Sequence, residues 1–421
     1  MPVPQKHQIA ENTFYVGSRD WNVRSFHGYE TRYGTSYNAY VINGPNPTVI
    51  DTVKAPFAEE FIENIQKVVP LEDLKYVVSL HSEPDHSGSL PHLLRAAPHV
   101  TLYCSRLGKK ALESLYPKDF PNWKVEAYKD KDTLDLGDGH VLTFRLTQLL
   151  HWPDSSVAQD TKTGVLFSSD AFGQHRATTA VVDDEPSAPE WSIIAHDSRL
   201  YWANILMLYG QQARKALETV KSLPVPPTLI ACAHGLLTRK YMAQHIELYQ
   251  RWSNHVCPTP MVAIVYDSMY GCTEKMAKTI EEGVMLAGAE ANVINCRITH
   301  ITDVADYVLD APVLVVGSSN LNNNILPPVA QALTYLKGLG GKNNWSRVGG
   351  VFGSYGWQSH VNTLTDIVTE SGVDIVVEPV ICNYTYTDDV LDKCREMGKE
   401  LAQHAISRVE ADREKLESFR V

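Results

Sequence analysis

The stretch LHSEPDHSGSL at residues 80–90 brings His81, Glu83, Asp85 and His86 within six positions. Two imidazoles and two carboxylates packed so densely in one loop call for a counterion. Three more donors stand apart: His151 in LLHWPDS, Asp170 in LFSSDAFG and His234 in ACAHGL. Each donor segment follows a short apolar run: YVVSL before His81, LTQLL before His151, VLFSS before Asp170 and LIACA before His234. Such runs read as strands, and strand ends gather along one edge of a sheet. A single histidine after a strand is most often an ordinary core or loop residue. Seven candidates at four strand ends point instead to one shared metal site. Four imidazoles and three carboxylates, with no thiolate, suit iron, manganese or zinc.

A second constellation opens the other half of the chain. The apolar run MVAIVY at 261–266 leads into DSMYGCTEKMA, so Ser268, Met269, Tyr270, Gly271, Cys272 and Thr273 form a strand–loop–helix turn. Hydroxyls and backbone N–H groups at a helix N-terminus make an anion site, and Gly271 supplies the backbone freedom of a tight loop. Neither G-x-x-x-x-G-K-[ST] nor G-x-G-x-x-G fits, which leaves a lone phosphate monoester. The loop resembles the flavodoxin pattern [ST]-x-[ST/Y]-G-x-T. A hydroxyl-rich helix cap would look the same, so two later loops decide. One carries Ser318, Ser319, Asn320, Asn322 and Asn323; the other carries Ser354, Tyr355, Gly356 and Trp357. They follow the third and fourth strands of this half, where a flavodoxin-like sheet meets the isoalloxazine ring of FMN. Amides and hydroxyls would face the polar rim of the ring, and Trp357 its plane.

These residues need two scaffolds. The first half reads as mixed α/β with many short strands, ending in a helix near 239–252. Its exit, HVCPTP, places two prolines within three residues, so 257–260 is the expected linker and the expected domains are 1–256 and 257–421. Beyond it, apolar runs at 261–266, 292–298, 312–317, 347–353 and 374–380 alternate with helical patterns, and a charged helix starts near Asp388. Five strands with helical crossovers imply a doubly wound parallel sheet.

Bulk properties narrow the function. With 44% hydrophobic and 21% charged residues, the 421-residue chain falls in the ordinary globular class. A net charge of −11 argues against a nucleic-acid partner. No apolar run is long enough to cross a bilayer, and the N-terminus lacks the apolar core of a secretory leader. Seven scattered cysteines, none in a C-x-x-C pair, suit free thiols in a cytoplasmic protein. They also leave no four-cysteine iron site of the rubredoxin kind in this chain.

The metal motif resembles H-x-H-x-D-H of the metallo-β-lactamase superfamily, followed by His, Asp and His. Glu83 stands where the hydrolases carry a second histidine. A carboxylate offsets the charge of Fe²⁺/Fe³⁺ better than imidazole does. That glutamate, together with the FMN-type loops, resembles the flavodiiron protein family over about residues 10–405. The resemblance implies an N-terminal metallo-β-lactamase-like αββα sandwich followed by a C-terminal flavodoxin-like domain. It implies that His81, Glu83 and His151 hold one iron, that Asp85, His86 and His234 hold the other, and that Asp170 bridges. The place of His86 beside Asp85 leaves open an outward turn with water in its stead. Serine and asparagine at 319 and 320 replace the family's usual proline and threonine, and QSH follows Trp357 where small residues are usual.

Two further segments that resemble the family, around His27 and Tyr201, place both as polar groups facing the diiron pocket. The implied activity is reduction of O₂ to water, of NO to N₂O, or both. Rubredoxin or a similar small donor would supply electrons to a head-to-tail homodimer or a dimer of dimers. Two rivals remain in view. A dinuclear zinc hydrolase with an accessory flavodoxin-like domain would hold zinc and act without flavin, and Glu83 speaks against it. A non-enzymatic electron carrier would not need seven metal donors.

Overall fold

The two rhythms of the sequence become two units. One runs to Tyr201 and resumes over Gln211–Tyr249; the other comprises Trp202–Gly210 and Gln250–Val421. The computed structural model describes residues 7–340 and 347–420. The first six residues of the N-terminal segment considered above lie outside that range.

The first unit is built on two sheets. A seven-stranded sheet runs in the order His7–Ala10, Thr13–Tyr15, Tyr40–Ile42, Thr48–Ile50, Tyr76–Ser79, Thr101–Ser105, Lys124–Tyr128. Its last four strands are parallel, so their carboxyl ends share one edge. A five-stranded sheet follows chain order: Thr133–Gly137, His140–Leu146, Ser156–Asp160, Val165–Ser169 and Leu229–Cys232. Only its last pair is parallel. The core lies between the sheets: Tyr40, Ile42, Ile50 and Val78 from the first meet Phe144, Ala158, Phe167 and Ala231 from the second. Tyr128 and Phe144 stack across it, ring centroids 4.0 Å apart. Burying a side chain such as Phe167 contributes about 1.5–3 kcal/mol. The Arg106–Leu115 helix starts where Ser105 Oγ accepts the Gly108 N–H (3.0 Å), and it packs against the Thr101–Ser105 and Lys124–Tyr128 strands.

One expected strand is not there. LTQLL, before His151, is a turn between the His140–Leu146 and Ser156–Asp160 strands. His151 still reaches the common edge for a topological reason. The Ser156–Asp160 strand is antiparallel to Val165–Ser169, so its start lies beside that strand's end.

The second unit holds a parallel sheet in the order Glu290–Asn295, Met261–Asp267, Val313–Ser319, Arg347–Tyr355, with Val373–Ile375 and Val380–Asn383 both paired to Arg347–Tyr355. The run at 374–380 is thus two short strands rather than one. The Val376 N–H still bonds the Gly349 carbonyl, and Pro379, which has no N–H to give the ladder, lies in the gap. The Cys272–Leu286 and Asp388–Phe419 helices pack closely through two glycines. A Cβ at Gly398 would sit 2.2 Å from Ile280 O, and one at Gly283 would sit 2.1 Å from Arg395 O. Among the described residues, no helix is long and apolar enough to cross a membrane.

Candidate functional site: a double ligand cluster and a flavin-type cavity

The seven metal candidates converge at the common edge of the first unit's two sheets. His81, Glu83, Asp85 and His86 come from the first sheet, and His151, Asp170 and His234 from the second. Glu83 precedes a single helical turn, Pro84–Ser87, which presents Asp85 and His86 together. Ser87 Oγ donates toward the Ser82 carbonyl (2.7 Å), and Gly88 follows where a Cβ would lie 2.4 Å from Pro84 O and 2.7 Å from Ala55 N.

The donors fall into two groups around Asp170. Its Oδ2 lies 3.3 Å from His81 Nε2 and 3.0 Å from His151 Nε2. Glu83 Oε2 lies 3.2 and 3.1 Å from the same two nitrogens. Asp170 Oδ1 instead faces His86 Nε2 at 3.0 Å and His234 Nε2 at 3.5 Å. Asp85 Oδ2 completes that group, 3.4 and 3.2 Å from the two histidines. One carboxylate therefore addresses both groups, an oxygen to each. A metal–ligand bond of about 2.1 Å puts neighbouring donors about 3.0–3.4 Å apart, which matches this spacing. His86 turns inward and not toward solvent.

Two further observations test whether cations fit. Asp85 Oδ1 and His86 Nδ1 are buried without a hydrogen-bond partner, and the approach of His86 Nε2 to Asp170 Oδ1 is close but lacks hydrogen-bond geometry. Orphaned polar atoms of that kind are costly unless something else satisfies them. The charges agree. Burial alone would strip protons from His86 and His151, yet the carboxylates Asp85 and Asp170 around His86, and Asp170 and Glu83 around His151, hold both up at about 9. Burial works against a charge on Asp170, but His86, His151 and His81 hold its carboxyl well below the usual range. The cluster accepts positive charge, and oxygen and nitrogen donors without thiolate suit iron.

Surrounding groups fix the ligand orientations. His81 Nδ1 donates to Asp154 Oδ1 (3.3 Å), and the Ser82 N–H donates to Asp154 Oδ2 (2.7 Å). His234 Nδ1 donates to the Ser36 carbonyl (2.7 Å). In both histidines Nε2 is thereby left to face the cluster. His27 lies at the mouth with positive φ (51°), and its Nε2 reaches Glu83 Oε1 at 3.0 Å. Tyr201 is buried against His175, ring centroids 4.9 Å apart, and burial keeps its phenol protonated far above the usual range. His175, which no motif singles out, packs on His234 with ring centroids 4.9 Å apart. Its Nδ1 lies 2.8 Å from Thr35 Oγ1, and burial together with nearby His234 keeps it neutral. Asp154 was also missed, although its place three residues after His151 in HWPD was a signal.

The second unit carries a cavity of about 580 Å³ at the carboxyl edge of its sheet. Met269, Tyr270 and Cys272 line it from the first loop, Ser319, Asn320, Asn322 and Asn323 from the second, and Ser354, Tyr355, Gly356 and Trp357 from the third. Tyr270 is 95% and Trp357 89% exposed, so they form an aromatic rim around the opening. Gly271 caps the Cys272–Leu286 helix in the left-handed region (φ 83°), and its N–H donates to Ser268 Oγ (3.1 Å). Thr273, Ser319 and Ser354 meet as a buried triangle of hydroxyls, at 2.9, 3.1 and 3.3 Å. Ser319 thus turns the departure from proline into an added polar contact. Ser318 is instead spent on the fold, where its Oγ accepts the Leu326 N–H (2.9 Å). Tyr384 also lines the cavity and was not anticipated, because it follows the strand that the sequence pattern had merged into 374–380.

Comparison with known proteins accounts for both units. Residues 35–235 match the model of the ODP family beta lactamase, and residues 264–398 match that of flavodoxin. The chain is 35% identical to a rubredoxin-oxygen oxidoreductase of Megalodesulfovibrio gigas, over 95% of this chain and 98% of that protein. It is 33% identical to an anaerobic nitric oxide reductase flavorubredoxin of Aeromonas hydrophila, over 96% of this chain and 81% of that one. The crystal structure of the flavodiiron protein from Giardia intestinalis superposes with a TM-score of 0.91 at 35% identity, covering 98% of this chain and 99% of that chain. With near-complete coverage by such relatives, and both units accounted for, the chain belongs to the flavodiiron protein family.

Proposed function

We propose that this chain is an oxidoreductase that reduces O₂ to water, NO to N₂O, or both, at a non-haem diiron site, with electrons arriving through FMN. The observation that carries the reading is the division of Asp170's two oxygens between two groups of donors, in a chain whose other unit holds an FMN-sized cavity. His81, Glu83 and His151 would hold one iron and Asp85, His86 and His234 the other, with Asp170 shared between them. Ser268, Gly271 and Thr273 with their neighbours would hold the FMN phosphate, and the loops of Asn320 and Trp357 its ring.

Once bound, the irons supply a redox-active Lewis acid for a diatomic, and FMN supplies electrons singly or in pairs. The chain's own residues provide the rest. Asp154 and the Ser36 carbonyl fix His81 and His234 so that Nε2 faces inward. His27 Nε2 holds the second oxygen of Glu83, which keeps that carboxylate in one orientation. Tyr201 keeps a proton on its hydroxyl, and neutral His175 packs beside it, so neither adds charge to the pocket. The dinuclear zinc hydrolase is the weaker reading, because it leaves both Glu83 and the cavity of the second unit without a role.

Family membership supports three finer statements. The donor is rubredoxin or a similar small protein, the chain works as a head-to-tail homodimer or a dimer of dimers, and it resides in the cytoplasm. The test is elemental and flavin analysis of protein expressed with iron, followed by turnover of O₂ and of NO with reduced rubredoxin. About two irons and one FMN per chain, with consumption of either gas, is the expected result. Zinc in place of iron, with neither gas consumed, would overturn it.

A further inference from the structure

Two thiols touch beneath the phosphate loop. Cys272 Sγ lies 3.3 Å from Cys382 Sγ, although the two residues are 110 positions apart. Cys382 Sγ is in turn 3.7 Å from Met276 Sδ, and Cys394 belongs to the same buried cluster. Packing alone does not require sulfur at both positions, since valine and alanine, residues of similar size, fill much of the same core. The partners are also unequal. Cys272 is the first residue of the Cys272–Leu286 helix and lines the cavity, so a small oxidant can reach its sulfur through the cavity. Cys382 is on the Val380–Asn383 strand, and burial pushes its thiol up to about 12. It stays protonated while Cys272 reacts. The metal and flavin roles given above use neither sulfur.

We propose that Cys272 and Cys382 form a two-electron redox site that a hydroperoxide oxidises to a disulfide when flavin is absent from the cavity. The hydroperoxide is the two-electron oxidant, and it reaches the site from solution. In the first step the Cys272 sulfur attacks peroxide; an S–O bond forms, the O–O bond breaks, and the departing hydroxide takes a proton to leave as water. The product is a sulfenic acid. In the second step the Cys382 sulfur attacks the Cys272 sulfur; the S–S bond forms, the S–O bond breaks, and a second water leaves with the Cys382 proton. Two thiols and one peroxide give one disulfide and two waters. The bond ties the helix behind the phosphate loop to the strand that leads into Tyr384, and both Cys272 and Tyr384 line the cavity. Only the gating by flavin rests on the proposed function; the thiol chemistry does not.

The test uses the full chain, with FMN bound and after FMN release. Each form is treated with one equivalent of hydrogen peroxide, alkylated and digested without reductant. In the flavin-free form a Cys272–Cys382 linked peptide should appear, two of the seven thiols should resist alkylation, and dithiothreitol should restore both. With FMN bound, the link should form about tenfold more slowly, as expected for a site that its ligand covers. Cys382→Ser should stop the reaction at a dimedone-reactive sulfenic acid on Cys272, whereas Cys394→Ser should leave the link intact. The proposal is overturned if the flavin-free chain gives no Cys272–Cys382 peptide, or if Cys272 pairs with Cys394 instead. Equal rates in the two forms, with flavin content measured, overturn the gating. A chain that takes up no FMN overturns the flavin reading, and the dithiol then stands or falls on the linked peptide.

Discussion

The two sites are built on opposite principles. In the first unit the candidate ligands are side chains, they are charged or readily charged, and all but the half-buried His151 are dry: His81 is 0%, Asp170 2% and His234 2% exposed. In the second unit no charged residue is among those lining the cavity, and its rim is open. An ion site has to match charge in a low-dielectric setting, where one misplaced oxygen is expensive. A flavin site is a matter of shape, backbone N–H groups and hydroxyls, none of which dominates. The first should therefore fail abruptly when altered, the second by degrees.

The sharpest way to break that contrast is Asp170→Asn, which weakens both donor groups at once. Iron should fall well below two per chain and turnover by about a thousandfold or more, the scale of losing a Lewis acid worth several kcal/mol. FMN content should stay unchanged; loss of FMN in parallel would show the sites to be interdependent. Next in size is Asp154→Asn, which leaves every ligand in place but loosens His81. Iron affinity should drop about 10–100-fold, read by titration with a competing chelator.

The matching change in the second unit is smaller. Gly271→Ala forces a Cβ into the left-handed region, a strain of about 1–2 kcal/mol. FMN should bind about 5–30-fold more weakly by fluorescence titration, with iron content untouched. The smallest effect at neutral pH concerns acid stability of the first unit. Burial holds His245 neutral, its pKa lowered to about 3 from an unfolded value near 6.5. Between those limits the unfolded chain binds the extra proton, so stability is intact above pH 6.5 and declines as pH falls toward 3, by about 1.4 kcal/mol per unit. In urea melts at pH 7 and pH 5, His245→Gln should lose less stability than the parent; an unchanged slope would show that this histidine is not the acid-sensitive group.

How much of this was legible in the sequence depended on whether a signal was local. The H-x-E-x-D-H loop announced itself because its four donors are sequence neighbours, and Asp170 and His234 because real strands precede them. His151 was selected for a reason that did not hold. Its apolar run is a turn, and an antiparallel neighbour brings it to the edge. Asp154 and His175 stayed hidden because their significance lies in which ring they touch, and proximity across 73 residues, as between His81 and Asp154, leaves no periodic trace. The break within 374–380, and with it Tyr384, escaped because hydrophobicity alone does not show where a ladder pauses.

The ligand groups have a mechanical side as well. Each draws donors from both sheets, so a bound cation would act as a further clasp between layers that already share an apolar core and the hydrogen bonds of Tyr40 and Tyr128. Anything that binds the folded state alone shifts the folding equilibrium by mass action. Iron supply should then set the melting temperature and protease resistance of the first unit while leaving those of the second unmoved. In an iron-starved cell the lifetime of this chain, and not only its turnover, would become a readout of the metal.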